Sequence, residues 1–357
     1  MNRAPILFRC DAIAAQGYES FYQCLAYAAA LQRRRRGTHF LSQLQPTILA
    51  SAIQRGGNEW KIAQYPVGSE EDLLETQAVL RQMQAAAVIV ADPNIRGDYV
   101  EGISETGVFP VVFDIQAAIH LRRGLVINPL LGPSAESYLI GPGTQMLLGA
   151  RYALVRPFIR RMRPMRAQEP PPPYRGIVAF GDDDFRGQTL LRVRELLGIS
   201  KVEKIDVIIR SQHPAMAELL TLAEENPNRL ALATEPSDIA LRIGRCHFAL
   251  SSGDGWSLEL ACVGVPQLML VQSPWHMLNA QRLDDEGAAT NLGDCDSVTP
   301  AQMRQAVMNL LTDSRERFGM ARCGRKLIDG RGPDRLVNAL EIMLHSGAAA
   351  EPERIAA

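Results

Sequence analysis

Three stretches of the chain place reactive residue types where they could do chemistry. The first follows the apolar run 5–9: Arg9-Cys10-Asp11-Ala12 leaves a strand, and Gly17 stands just before a helical-period segment. Backbone N–H groups at a helix N-terminus hold an anion such as a pyrophosphate, and an ordinary strand-to-helix turn has the same composition. The second runs from Ser251-Ser252-Gly253-Asp254-Gly255-Trp256-Ser257 through Glu259 to Gly264-Val265-Pro266. Its small residues Ser252, Gly253 and Gly255 let phosphates approach the backbone. Glu259, about one turn into the helix, could accept hydrogen bonds from ribose hydroxyls or serve as a structural carboxylate. The third is Gly181-Asp182-Asp183-Asp184. Three carboxylates could bind a metal such as Mg²⁺ through oxygen. Consecutive side chains diverge and no further carboxylate partner is identifiable, so an acidic helix entry with Asp184 near an N-cap is the favoured reading, and no metal or other cofactor is expected. The six histidines show no metal-ligand spacing; His276, just past a strand ending near Val271, is the one expected to face a ligand. Ser251 and Ser252 lack the context of a nucleophile elbow. Arg33 to Arg36 end a helix and face solvent.

The elements that must position these residues alternate along the chain. Strands are predicted at 5–9, 87–92, 109–114, 176–180, 205–210, 230–234, 247–252 and 267–271. Helices are predicted at 18–35, 70–84, 187–197, 213–225, 236–245, 256–263 and 276–286. Short apolar runs alternating with helices indicate parallel sheets covered on both faces. Four consecutive prolines, 170–173, mark an extended spacer. The expected organisation is a domain over 1–160, a Pro-rich linker over 161–174, a second domain over 175–346 and a flexible tail over 347–357. Two such α/β halves are expected to hold a ligand between the carboxyl ends of their strands.

Composition bounds the function. The 357 residues exceed one ordinary core. Lys and Arg total 38 against 39 Asp and Glu, a net charge of -1 that excludes a generic nucleic-acid binder. No stretch approaches the roughly 20 apolar residues that span a bilayer. The N-terminal residues lack an apolar signal region, and six scattered cysteines without a CxxC pair fit reduced thiols, so a cytoplasmic location is expected.

With these residues in place, a resemblance emerges. The segment Ile6 to Ala26 (ILFRCDAIAAQGYESFYQCLA) resembles the opening of the nucleotide-sugar hydrolases of the pseudaminic acid pathway. Leu125 to Phe158, ending LLGARYALVRPF, is similar to that family's stretch ending GxxYxLLRxEF. Ser252 to Gly293, with ELACVGVP and LNAQRLDDEGAATNLG, resembles its nucleotide-sugar-binding half, which is similar in turn to the glucosaminyltransferase that completes lipid II. The resemblance covers roughly residues 5–340 and implies a GT-B architecture: two Rossmann-like, doubly wound parallel-sheet domains with a UDP-sugar in the cleft.

Carried over residue by residue, Gly17 falls on the first glycine of the family's N-terminal loop, Glu19 replaces its second glycine, and Gln23 replaces an arginine. Ser20 stands where the family has its catalytic histidine, and an unperturbed serine is no base near neutral pH. Glu19 or His276 would have to activate water in its place. The family's G-G-x-D becomes Gly181-Asp182-Asp183-Asp184, and its Asn-Gln pair becomes Trp275-His276, while Asn279 and Ala280 match. Glu259 falls on the carboxylate that related enzymes use for the ribose. Gly17, Gly181, Ser252, Gly253, Gly255, Glu259 and Asn279 are therefore the expected nucleotide-sugar ligands. Asp182 and Glu19 add negative charge where a pyrophosphate would sit, with Arg9 or a divalent cation to offset it. The resemblance implies a diverged hydrolase acting on a UDP-activated amino sugar in cell-surface glycan or nonulosonic acid biosynthesis. Glycosyl transfer from a UDP-sugar, and a non-catalytic binding role, are the alternatives.

Overall fold

The computed structural model describes residues 3–13, 17–181, 184, 186–210 and 212–349. The pair Asp182 and Asp183, expected at the acidic turn, and the tail from residue 350 onward lie outside the described residues. The chain forms two compact units: one drawn from Met1–Asn128, Pro133–Leu148 and Arg331–Ala357, the other from Pro129–Gly132 and Gly149–Gly330.

The first unit carries strands β1 (Ile6–Arg9), β2 (Thr38–Ser42), β3 (Glu59–Ile62), β4 (Ala87–Val90), β5 (Phe109–Phe113), β6 (Leu121–Asn128) and β7 (Ile140–Leu148). They pair in the order β3-β2-β1-β4-β5-β6-β7, every described pairing parallel. Continuous apolar runs such as Ala87–Val90 form the centre because helices cover both faces, leaving no solvent-facing side to alternate. Helices α1 (Glu19–Arg33), α2 (Ala50–Arg55), α3 (Glu70–Met83) and α4 (Gly97–Ser104) supply part of that cover. Leu80, Val88, Val100 and Val112 meet in the core between α3, α4 and the sheet.

The second unit repeats the plan. Its strands are β8 (Arg175–Ala179), β9 (Lys204–Ile208), β10 (Leu230–Ala233), β11 (Phe248–Ser251), β12 (Gln267–Val271) and β13 (Thr290–Asp294), ordered β10-β9-β8-β11-β12-β13. Its helices are α5 (Pro157–Arg160), α6 (Gln188–Leu197), α7 (Met216–Glu225), α8 (Pro236–Arg245), α9 (Gly255–Val263), α10 (Pro274–Asp285), α11 (Pro300–Thr312) and α12 (Ser314–Leu327). Relative to its own first strand the order is third-second-first-fourth-fifth-sixth, the doubly wound Rossmann order, with its switch point between β8 and β11. The first unit has the same switch between β1 and β4.

The units divide the chain differently from the boundaries expected above. The C-terminal helix, Gly332–Ala349, belongs to the first unit rather than to a domain over 175–346. Tyr27 donates to the Leu336 carbonyl at 3.1 Å, and Arg36 pairs with Glu341 at 2.6 Å, so long-range contacts outweigh chain order. Residues 161–169, expected in the spacer, pack into the second unit. Arg163 donates to the carbonyls of Cys262 and Ile328, Arg166 is buried, and Glu169 pairs with Arg317. Among the described residues no helix is long and apolar enough to cross a membrane.

Candidate functional site

In a parallel sheet each strand delivers the following helix with its N-terminus at the carboxyl edge, so ligands gather there, at the switch point. In the second unit that edge carries the loops after β8 and β11, which hold Gly181, Ser252, Gly253 and Gly255. Beside them α10 brings His276 and Asn279. The sequence reading thus selected the two loops that flank the switch.

Several of these residues already have structural work. Gly253 lies at φ 79°, and a Cβ there would stand 3.1 Å from the Ala280 Cβ and 3.2 Å from the His276 carbonyl oxygen. Glycine is needed for the loop to seat on α10. Asn279 donates from Nδ2 to the Gly253 carbonyl at 2.6 Å and to Ser257 Oγ at 3.1 Å, and its Oδ1 accepts from the Leu131 N–H at 2.9 Å. Its amide staples α10 to the β11 loop and α9. Ser252 is buried, while Gly181 (φ 89°) and Gly255, the first residue of α9, are half-buried.

Glu259 sits in the second turn of α9 with its side chain 4% exposed. Its Oε1 accepts from the Arg156 backbone N–H at 2.7 Å and from Arg156 Nε at 2.9 Å, and its Oε2 accepts from Nη2 at 2.5 Å. The guanidinium in turn lies 4.0 Å from the centroid of the Trp256 ring. The forked pair of Glu259 with the edge of the guanidinium, and the guanidinium's face on the indole, fix how Arg156 meets α9. Arg156 was missed as a site residue. Its only sequence signal was membership of YALVRPF, because its partner is 103 positions away.

Asp184 resolves the acidic turn as far as it is described. Its two oxygens accept from the N–H groups of Gln188 at 2.9 Å and Thr189 at 2.7 Å, capping α6. Asp254 caps α9 by accepting from the Trp256 N–H at 3.0 Å, and Ser273 caps α10. Carboxylates therefore stand at the N-termini of α6 and α9. Asp294, Cys295 and Asp296 cluster nearby in sequence to β13, but Arg186 pairs with both carboxylates, which raises its own pKa and holds that of Asp294 down. Trp256 is buried under Arg156, whereas Trp275 is 52% exposed beside His276.

In the first unit, Gly17 (φ 78°), Glu19 and Ser20 follow β1 at its switch point and are half-buried. Glu19 opens α1 and accepts from Gln23 Nε2 at 3.1 Å, a favourable place for a carboxylate. Arg9 cannot offset charge on a ligand as expected. It is fully buried, with Nε on Asp72 at 2.7 Å, Nη1 on Asp11 at 2.5 Å and Nη2 on the Tyr65 carbonyl at 2.9 Å. Burial opposes its charge, but Asp11 and Asp72 more than compensate and raise its pKa. Tyr99 donates to Asp72 at 2.6 Å, completing a network that ties β1 to α3 and α4. Asp92, after β4, is buried and accepts from the Asn94 N–H at 2.7 Å; burial first, then Asp11 and Asp72, raise its pKa.

No protein-family model matches the chain. A curated relative, the spore coat polysaccharide biosynthesis protein SpsG of Bacillus subtilis (strain 168), is 23% identical over 220 residues, 60% of this chain. The match spans 64% of that relative's length, under two thirds of it. Among solved structures, MurG of Acinetobacter baumannii is 14% identical with a TM-score of 0.62 over 95% of this chain and 99% of that one. The spinosyn rhamnosyltransferase SpnG complexed with thymidine diphosphate is 15% identical with a TM-score of 0.63 over 94% and 100%. The two parallel-sheet α/β units thus have the GT-B fold of these proteins. A fold does not by itself fix chemistry.

Proposed function

We propose that the protein uses a nucleotide sugar in glycan biosynthesis, with the nucleoside diphosphate held at the switch point of the second unit. The observation that carries this reading is that the loops after β8 and β11 bring Gly181 and Gly255 to the carboxyl edge of a sheet with the doubly wound order. It is supported by the likeness to SpnG, whose structure holds thymidine diphosphate, and to SpsG, named for polysaccharide biosynthesis. In this reading the phosphates meet the Gly255 turn at the start of α9 and compete with the Asp254 carboxylate for the Trp256 N–H, since Arg156 and Arg186 are both engaged with carboxylates. A ribose reaching Glu259 competes with Arg156 for the same oxygens. Trp275 offers an exposed ring for stacking.

Within this class we favour glycosyl transfer from a UDP-sugar to an acceptor hydroxyl. The likeness to the rhamnosyltransferase SpnG supports transfer. Ser20, at the N-terminal turn of α1, stands where the resemblance puts the histidine that activates water, and the proton of an acceptor hydroxyl would equally need another base, Glu19 or His276. Hydrolysis of a UDP-activated amino sugar is the second reading. It is favoured by Glu19, an ionisable neighbour of Ser20, with His276 as the other replacement base.

The test is UDP binding by calorimetry to the wild type and to Gly255→Ala. Gly255 has no left-handed φ, so alanine is compatible with the helix start. We expect the added methyl to weaken UDP at least about tenfold, or about 1.4 kcal/mol, with the fold intact. Undiminished binding would remove the diphosphate from this loop. UDP release from a UDP-sugar without acceptor then separates hydrolysis from transfer.

A further inference from the structure

We propose that a pocket on the opposite edge of the second unit binds a phosphorylated ligand bearing an apolar or sugar-sized substituent. The pocket has a volume of about 270 Å³. It lies where β11 and β12 begin, since His247 and Pro266 line it immediately before those strands. The switch-point loops leave the other end of the same parallel sheet, so the pocket is a separate site. One wall is a stripe of α12, Arg317/Phe318, Ala321/Arg322 and Arg325, spaced one helical turn apart.

Its charge is unbalanced. Four arginines line it (166, 317, 322 and 325) against one carboxylate, Glu169, which already pairs with Arg317. Arg166 is 7% exposed and donates to neutral groups: the carbonyls of Ile243 at 3.0 Å, Cys246 at 2.7 Å and Gly264 at 3.1 Å, and the Cys246 sulfur at 3.8 Å. Its Nε is buried without a hydrogen-bond partner among the described residues. Arg325 likewise donates to carbonyls, those of Arg163 and Arg166 at 2.8 and 3.0 Å. Burial, then repulsion from Arg163 and Arg166, lowers its pKa. His247 Nδ1 accepts from the Arg175 N–H at 3.1 Å, as an unprotonated ring nitrogen does, and burial lowers its pKa. Grouped guanidinium groups held by neutral oxygens attract an anion, and their forked geometry suits a phosphate. Phe318, 67% exposed at the pocket, and Pro266 supply apolar surface for what the phosphate carries.

The probes are glycerol 1-phosphate, titrated calorimetrically into the full chain at low salt, and vesicles of phosphatidylglycerol or of phosphatidylcholine, scored by co-sedimentation. Arg322 and Phe318 are exposed, so Arg322→Ala and Phe318→Ala should fold; Lys326→Ala, on α12 but outside the pocket lining, is the control. We expect saturable binding that weakens about tenfold in Arg322→Ala and is unchanged in Lys326→Ala. Binding of glycerol 1-phosphate alone identifies a soluble phosphate ester. Binding to phosphatidylglycerol but not phosphatidylcholine vesicles, lost in Arg322→Ala and Phe318→Ala, identifies a lipid headgroup. Binding of neither probe, or equal weakening in the lysine control, overturns the proposal.

Discussion

Removing the Glu259 carboxylate tests whether it is a structural group before it is a ligand. In Glu259→Ala the Arg156 guanidinium, with its side chain 13% exposed, loses its carboxylate partner while still packed on Trp256. Breaking one side of a buried pair costs about 3–5 kcal/mol. A unit of this size loses about 2–4 °C of melting temperature per kcal/mol. The expected fall is therefore about 6–20 °C in the transition of the second unit. Glu259→Gln keeps an oxygen for the Arg156 backbone N–H and should fall less. The double variant Arg156→Leu/Glu259→Met removes both charges and should recover to within about 2 kcal/mol of wild type. Calorimetric unfolding of the singles and the double at pH 7 reads all three. A Glu259→Ala melting temperature within about 2 °C of wild type would refute the reasoning. The carboxylate would then be available to a ribose. The same arithmetic warns that loss of UDP binding in Glu259→Ala is informative only when the variant is shown to be folded.

Other expectations follow from the same contacts. Asp184→Ala should lower stability by about 0.5–2 kcal/mol through the lost α6 cap, and Asp184→Asn, which keeps an acceptor, should lower it less in a denaturant titration. Asp92 has its pKa raised in the folded state, so the fold binds that proton more tightly than the unfolded chain does, and this contribution to stability is lost as pH rises through the shifted range. Asp92→Asn, which keeps an oxygen for the Asn94 N–H, should therefore stabilise the first unit at pH 7 and give no gain at pH values below the ordinary carboxylate range. Melting curves across pH check it, and a gain that persists in acid contradicts the assignment. Gly253→Ala should destabilise by more than 1 kcal/mol on the order-of-magnitude scale for strained backbone, since it forces a side chain into left-handed geometry against α10; equal melting temperatures contradict this packing.

The strands that the sequence made legible are those buried on both faces. GIVA, FALS and QLMLV read as apolar runs because helices cover them above and below. Three of the four edge strands were missed, while the fourth, Leu230–Ala233, was read at 230–234. Glu59–Ile62 is largely exposed, Ile140–Leu148 contains two glycines and a proline, and Thr290–Asp294 is only half-buried. An edge tolerates residues that a central strand does not. Thr38–Ser42 lies inside the sheet yet begins with threonine and histidine; His39 finds a partner in Glu59 on the adjacent strand, which no local pattern announces. The candidate loops were legible for a related reason: glycines and small residues punctuate the ends of buried strands. What the sequence did not disclose was how those residues are engaged. Arg156 on Glu259 and Asn279 on Leu131 are pairings across more than a hundred positions, and Arg9 closes on Asp72 across 63. Chain order also hid the membership of the C-terminal helix, which is decided by Tyr27 and Arg36 near the other end of the chain.

The central claim is that the second unit binds a nucleoside diphosphate at its switch point. Calorimetric titration of UDP into wild type and Gly255→Ala, each first shown to melt at the same temperature, tests it most directly. The account predicts saturable binding to the wild type that is at least about tenfold weaker in the variant. No UDP binding to the folded wild type, or equal affinity in both proteins, would contradict it.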